Sequence, residues 1–409
     1  MLIPQHCAFI CDSPSLSSIL HARHTLSPSL KCPRWLELLD KMKSLFNASL
    51  LLMTVLLLMT SCDPTDETND YDIPTTYSEF ENVSYSGQTQ RLAMLTEMTT
   101  YMKTANTSGT SLDADKLKAM YANTANAGFT GTYDDSKQLK SKTLEAAQAN
   151  FETYMEKMAE ASQSTLAAAV NQAGVAVSLD LTKSYLLNDK GVEYTQIIEK
   201  GLMGACFYYQ ATDVYFGLDK MNVDNETITA GEGTEMEHHW DEAFGYLGAP
   251  KEFPVSTDGL AFWAKYSNTV NATLNTNQHL MDALLKGRAA ITNKDLDTRD
   301  EAIMEARAAW ELIVAGASIH YYNGALENAN DFALRAHALS EAVAFTYSLQ
   351  FNPQKSLTNS QVNEILVKLG GSSDVTEMNF YNTTDSDIQA AKDLLAGYMN
   401  WDTTVADVL

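Results

Sequence analysis

The sequence is poor in basic residues, and this shortage excludes one class of function. Its 28 Lys and Arg residues face 52 Asp and Glu residues, which gives a formal net charge of −24 at pH 7. A chain with this balance lacks the basic surface that nucleic-acid binding requires. An anionic surface raises the local concentration of cations, which is compatible with metal handling, although it also serves simple solubility.

Cysteine is also scarce, and the positions of the five cysteines leave no pair for a disulfide in the folded domain. Three of them precede the expected start of translation, and Cys62 is expected to carry a lipid. Cys206 then remains alone, within the apolar helical stretch 202–209. We interpret it as a core residue and not as a nucleophile.

Familiar enzyme signatures are absent as well. The sequence contains no His-Glu-x-x-His pair, no Gly-x-Ser-x-Gly elbow, no glycine loop of the phosphate-binding type and no Cys-His arrangement supported by its surroundings. An enzymatic function therefore has no support from sequence motifs.

Residues 42–61 have the features of an export signal. Lys41 and Lys43 supply a basic start, an apolar run extends from Leu45 to Met59, and the small residues before Cys62 form a lipobox, in which the cysteine is diacylated. The alternative is an uncleaved membrane anchor, but the run is shorter than the ~20 residues that span a bilayer. We expect an outer-membrane lipoprotein on the periplasmic or the exposed side of the envelope.

This signal divides the chain into four parts. We expect translation to begin at Met42, so that residues 1–41 do not belong to the working protein. The signal peptide is 42–61, an acidic tether without periodicity follows over 62–79, and the remaining residues, 80–409, form the folded domain.

Apolar residues recur at spacings of three and four through the mature chain, which predicts an all-α fold. The expected architecture is a bundle of long antiparallel helices, packed as one bundle or as two sub-bundles. The β-branched residues of 175–181 favour a strand or an extended segment. The predicted helices cover residues 88–105, 113–121, 136–164, 192–218, 234–248, 259–285 with a break near Asn275, 296–326, 331–349, 360–369 and 385–398.

One predicted helix, 234–248, carries the densest group of histidines, carboxylates and aromatics. Thr234 and Glu237 have the capping-box spacing at its start, and Gly248 is expected to end it. One helical face collects apolar residues and should pack against the domain, namely Trp240, Ala243, Phe244 and Leu247. A second face presents the candidate ligands, namely Glu235, His239, Glu242 and Tyr246.

His239 and Glu242, three residues apart, place an imidazole and a carboxylate side by side, and Glu235 lies one turn earlier. Helical bundles build metal sites from such pairs. We predict a metal site with these three ligands, and the mixed nitrogen and oxygen donors suit iron or zinc. Further ligands, or side chains that support the ligands, must come from elsewhere. The candidates are His238, Asp241, His320, His337 and Glu341.

Each of these residues also has a simpler interpretation. His320 and His337 fit hydrogen-bonded histidines near a helix interface. Glu237 is explained by its capping role, and His238 and Asp241 by positions on the surface or behind the ligands. The sequence alone does not decide between the two interpretations.

The segment from His239 to Gly248 resembles the Gly-x-His-x-x-Glu motif of imelysin-like proteins, which are bacterial all-helical envelope proteins tied to iron acquisition and once described as peptidases. The mature chain is more closely similar to Bacteroidetes lipoproteins of a domain-of-unknown-function family (number 4856), whose signature is the run His-His-Trp-Asp-Glu-Ala-Phe-Gly-Tyr. Glu237 replaces the glycine of the imelysin motif. Only His239 and Glu242 therefore match its ligand pair.

The resemblance implies an imelysin-like helical domain that binds a metal ion or metal complex and assists iron or haem acquisition. It implies as partners a TonB-dependent receptor system or an imelysin, with the membrane reached through the lipid on Cys62. An alternative function is glycan or nutrient binding beside an outer-membrane importer, which exposed tryptophans would favour: Trp263, Trp310 or Trp401. A metallopeptidase is a third hypothesis.

Overall fold

The computed structural model describes residues 71–125 and 128–409, and within them helices dominate. The all-α prediction is confirmed, since the strands form only one short antiparallel hairpin, in which Gly174 pairs with Leu187. In chain order the elements are α1 Ser86–Lys103, α2 Ala114–Ala122, α3 Glu145–Ala161, β1 Gly174–Val177, β2 Ser184–Leu187, α4 Tyr194–Leu202, α5 Leu218–Met221, α6 Glu235–Gly245, α7 Phe262–Leu274, α8 Thr276–Thr292, α9 Leu296–Glu327, α10 Phe332–Ser348, α11 Asn359–Gly370, α12 Asp385–Tyr398 and α13 Thr403–Asp407.

Most predicted helices lie within a few residues of their observed bounds because local signals end them. Asn275 adopts a left-handed conformation, with a φ of 50°, and separates α7 from α8 at the predicted break. The carboxylate of Asp331 accepts hydrogen bonds from the first backbone amides of α10, and Thr384 caps α12 in the same way. After the long helix α9 the chain reverses direction in a short turn, so that α10 packs against α9.

Two predicted helices differ from the observed ones. The helix expected over 136–164 begins only at Glu145, because the residues before it form turns and a short 3-10 helix, Lys140–Lys142. The helix expected over 192–218 is α-helical only in α4 and continues as π-helix through Met203–Tyr208 and Gln210–Tyr215. Long π-helical stretches are rare and often occur at functional sites.

The folded unit begins earlier than the predicted boundary at residue 80. It extends from Asp70 to Leu409 as one compact unit, which does not divide into two sub-bundles. Tyr77, expected in the tether, is fully buried, and its ring stacks on Phe244 with the centroids 3.8 Å apart. Cys62, which is predicted to carry a lipid, the predicted signal peptide and most of the predicted tether lie outside the described residues.

The helix α6, which carries His239 and Glu242 and is called the motif helix below, is anchored in the core by its close approach to α8. The Trp240 indole is fully buried and donates a hydrogen bond to the Leu284 carbonyl at 3.0 Å. Gly287 makes room for it, since a Cβ on this residue would lie 2.1 Å from the indole ring. In the described part of the chain, no helix combines the length and the apolar character needed to cross a membrane.

Candidate functional site

The motif helix α6 starts where the capping box predicts. The backbone amide of Glu237 donates to the Thr234 hydroxyl at 3.2 Å, and the backbone amide of Thr234 donates to the Glu237 carboxylate at 2.9 Å. The packing face is also confirmed, because Trp240, Ala243 and Phe244 are fully buried. Two amides at the helix start are thereby satisfied, and the orientation of the helix is set by its apolar face.

One side of α6 carries a buried ion pair network that involves Asp241. Arg288 of α8 donates to Asp241 at 2.9 Å and to Glu237 at 2.6 Å, and the Tyr77 hydroxyl donates to the same Asp241 oxygen at 2.6 Å. Asp241 is completely buried, so the expectation of a surface position is wrong for this residue. It joins α6 to α8 and to the start of the domain, away from His239.

One guanidinium in this network faces two carboxylates. Burial raises the pKa of Asp241 to about 6, although the bonds from Arg288 and Tyr77 oppose the shift. Burial would also raise the pKa of Glu237, but the charge of Arg288 and the capping bond from Thr234 outweigh it and lower that pKa. Glu237 therefore has a structural role beyond the cap.

The opposite side of α6 holds the predicted His239–Glu242 pair. The Nδ1 atom of His239 lies 3.2 Å from the Oε2 atom of Glu242. The other oxygen of Glu242 accepts hydrogen bonds from the Gln88 amide at 3.0 Å and the Tyr215 hydroxyl at 3.2 Å. Burial alone would raise the pKa of Glu242, but the bonds from His239 and Gln88 lower it to about 2. Both carboxylate oxygens of Glu242 therefore accept hydrogen bonds.

These partners determine the tautomer of His239. An ionised carboxylate only accepts hydrogen bonds, so Nδ1 must carry the proton that faces Glu242. On the other side of the ring, the Lys220 ammonium lies 3.3 Å from Nε2, and an ammonium only donates. The Nε2 lone pair therefore accepts the hydrogen bond from Lys220, with the Glu235 carboxylate 3.7 Å away.

The site lies at the edge of the domain. The side chain of His239 is 9% exposed and that of Glu242 is 18% exposed, whereas that of Glu235 is 56% exposed. Tyr246, expected on the ligand face, is fully buried. The predicted ligand face is thus mostly covered by α1 and the π-helical segment, and it reaches solvent only beside Glu235.

A further cation, Lys142, lies behind the His239–Glu242 pair. The Lys142 ammonium lies 3.4 Å from the Tyr215 hydroxyl. Burial lowers the pKa of Lys142, and the nearby charges of Arg91 and Lys220 add to this effect. Burial raises the pKa of Tyr215 well above its usual value, and the charge of Glu242 adds to this effect, so the phenol stays protonated and donates.

The sequence did not reveal these surrounding residues. Gln88 comes from α1, Tyr215 from the π-helical segment and Lys220 from α5, and none stands at a fixed spacing from His239. Gln88 is fully buried although its neighbours Thr89 and Gln90 are polar and not buried, so no pattern in the sequence marked it. His238, a predicted additional ligand, lies near the pair, with its Nε2 atom 3.9 Å from Glu242.

The remaining candidate ligands form a different cluster. The Nδ1 atom of His337 lies 2.6 Å from the carboxylate of Glu193, and Glu341 lies 3.5 Å from the Lys200 ammonium. His320 faces the backbone oxygen of Leu409 at 3.3 Å. These partners belong to α4, α10 and the end of the chain, so the structure does not show these residues joining His239.

The donor set around α6 is too small to enclose a bare metal ion. Among residues 71–125 and 128–409, no group of three or more His, Cys, Asp and Glu side chains is arranged to hold a metal. His239 offers one nitrogen and Glu235 one carboxylate, while the oxygens of Glu242 are already hydrogen-bonded.

Two of the three tryptophans that would favour a sugar-binding site are not at the surface. Trp263 and Trp310 are fully buried in the core, and Trp401 is half-buried. Cys206 is also fully buried, which confirms its interpretation as a core residue, and burial raises the pKa of its thiol to about 12. The glycan-binding alternative thus loses two of the three residues that would have favoured it.

Comparisons with known proteins were made against families, curated proteins and solved structures. No curated protein matches the chain, and no solved structure does. A family model described as "Domain of unknown function (DUF4856)" matches residues 76–374. This range contains α1 to α11 and all the residues that surround His239. The chain therefore belongs to the DUF4856 family.

Proposed function

We propose that this protein is an envelope-anchored lipoprotein that binds a metal complex through His239. The observation that carries the proposal is the hydrogen bond between His239 Nδ1 and Glu242, because it turns the Nε2 atom towards Lys220 and Glu235 at the domain edge, where a metal would replace the hydrogen bond from Lys220. Histidines that bind metals commonly donate their other ring N–H to a carboxylate in this way.

In this proposal Glu242 orients the imidazole, and Glu235 is the second protein ligand. Gln88 and Tyr215 hold the carboxylate of Glu242 in place, and the ring of His239 cannot turn without breaking its hydrogen bond to that carboxylate. Two protein donors leave most coordination positions to other groups. A metal that already carries a chelator suits this geometry better than a hydrated ion does.

The imelysin resemblance suggests iron or haem as the metal cargo. The similarity to Bacteroidetes lipoproteins suggests that the protein comes from that bacterial group. Diacylation of Cys62 would hold the domain at the outer membrane, and the acidic residues 62–69 would separate it from the lipid surface. A TonB-dependent receptor system or an imelysin would receive the cargo. Each of these steps rests on the lipobox and the resemblance.

The test is the metal affinity of residues 70–409, the compact unit, purified without a chelator. Calorimetry with Fe²⁺, Zn²⁺, ferric citrate and haemin should show binding by the parent that His239→Ala lowers at least tenfold. His279→Ala is the matched control, because His279 lies exposed on α8, outside this cluster. Equal affinities of the parent and His239→Ala for every probe would refute the proposal.

A further inference from the structure

The charges around His239 have the opposite sign to the charge of the chain. The full sequence has a net charge of −24. Within this cluster, the ammonium groups of Lys220 and Lys142 and the guanidinium of Arg91 stand against the carboxylates of Glu235 and Glu242. Cations therefore gather at this spot on an otherwise acidic protein, with Lys220 at His239, Lys142 at Tyr215 and the charge of Arg91 acting on Lys142.

Lys220 lies where it would contact anything bound to His239. Its Nζ atom is 3.3 Å from the Nε2 atom of His239, on the side of the ring that is free of Glu242. Lys220 extends from α5, a single helical turn that begins after the π-helical segment. Its side chain is half-buried, so it reaches the ring from the solvent edge and can shift without unpacking the core.

A bare divalent cation would be repelled at this position. It would have to displace the Lys220 ammonium from Nε2 and then remain near Lys142 and Arg91. An anionic chelate reverses the sign of these interactions, because the carboxylates or phenolates that wrap its metal are attracted by the same cations. Steering by a local positive patch also speeds the encounter with an anionic ligand.

We infer that the ligand of this site is an anionic metal chelate, with His239 bound to the metal and Lys220 paired with an oxygen of the chelator. The inference rests on the proposed function and names its class of substrate. The site would therefore select its ligands by two properties. The chelate must have an exchangeable coordination position on its metal for the His239 imidazole, and it must have a negative group for the Lys220 ammonium.

Three probes separate the chelate from its parts: ferric citrate, citrate alone and Zn²⁺. For ferric citrate we expect Lys220→Met to weaken binding roughly five- to tenfold, and Lys220→Glu to weaken it further, because the charge reversal repels the chelator. Affinity for Zn²⁺ should not fall in Lys220→Met. Lys286→Met is the control, since Lys286 pairs with Glu301 and Glu305 across α8 and α9.

The outcomes separate the inference from the proposed function. If the parent binds Zn²⁺ through His239 but ferric citrate no more tightly than Zn²⁺, the chelate inference fails and the metal site stands. An unchanged or higher affinity of Lys220→Met for ferric citrate also overturns the inference, as does equal affinity for citrate alone. If no probe depends on His239, both fail together.

Discussion

The carboxylate of Glu242 accepts a hydrogen bond from Gln88, a residue 154 positions earlier in the chain, at 3.0 Å. This contact joins α1 to the motif helix beside the proposed ligand His239. A second close approach supports it, because a Cβ on Gly245 would lie only 2.7 Å from Tyr85 and 3.0 Å from Gln88. The position of the imidazole therefore depends on how α1 packs against α6.

The ionisation of Glu242 should make stability depend on pH. Its pKa is lowered from 4.5 to about 2 in the folded protein, so its contribution is fully present above pH 4.5 and is lost as the pH falls towards 2. The shift corresponds to roughly 3 kcal/mol. The difference in unfolding free energy between the parent and Glu242→Gln, from urea titrations at pH 6 to 2.5, should shrink with acidity. A constant difference would contradict this.

Removal of the Arg288 guanidinium should destabilise the domain strongly. Arg288→Met leaves Glu237 and Asp241 without their buried cation, which costs about 3–5 kcal/mol for a broken buried pair. Lys286→Met on the same helix removes partly exposed pairs and should cost at most about 1 kcal/mol. Urea unfolding followed by circular dichroism measures both. Similar losses in the two variants would show that the network contributes little.

The same substitution should have opposite effects at two helical glycines. Gly287→Ala forces a methyl group against the Trp240 indole and should cost about 1–3 kcal/mol or more. Gly397→Ala in α12 meets no atom within 4 Å and should stabilise the protein by at most about 1 kcal/mol. Thermal unfolding of the two variants gives the comparison. A neutral Gly287→Ala would mean that α6 and α8 can separate freely.

His337 should hold its proton above the ordinary pH range of histidine. Burial alone would lower its pKa, but the carboxylates of Glu193 and Glu341 outweigh burial and raise it above 6.5. The stabilisation is therefore present below pH 6.5 and is lost as the pH rises through the folded pKa. An NMR titration of the imidazole should show a lower pKa in Glu193→Gln. Glu327→Gln, on an exposed end of α9, serves as the control.

The sequence by itself determined the features that depend on neighbours within about four residues. Thr234 and Glu237 predict the start of the motif helix because a capping box is closed within one turn. Asn275 predicts the break between α7 and α8 because a left-handed residue ends a helix locally. The side-by-side placement of His239 and Glu242 follows from helical geometry alone. The all-α class followed from the same periodicity.

Only the tertiary structure decided what these residues do together. Glu242 was predicted as a ligand, and its carboxylate accepts hydrogen bonds from Gln88 and Tyr215. Asp241 was predicted at the surface or behind the ligands, and it lies buried against Arg288. Sequence periodicity cannot show such contacts, because a helix face is buried or open according to the other helices that pack on it. The same holds for the π-helical turns that carry Tyr215 and for the distance from Lys220 to His239, which arise from packing between segments far apart in the chain.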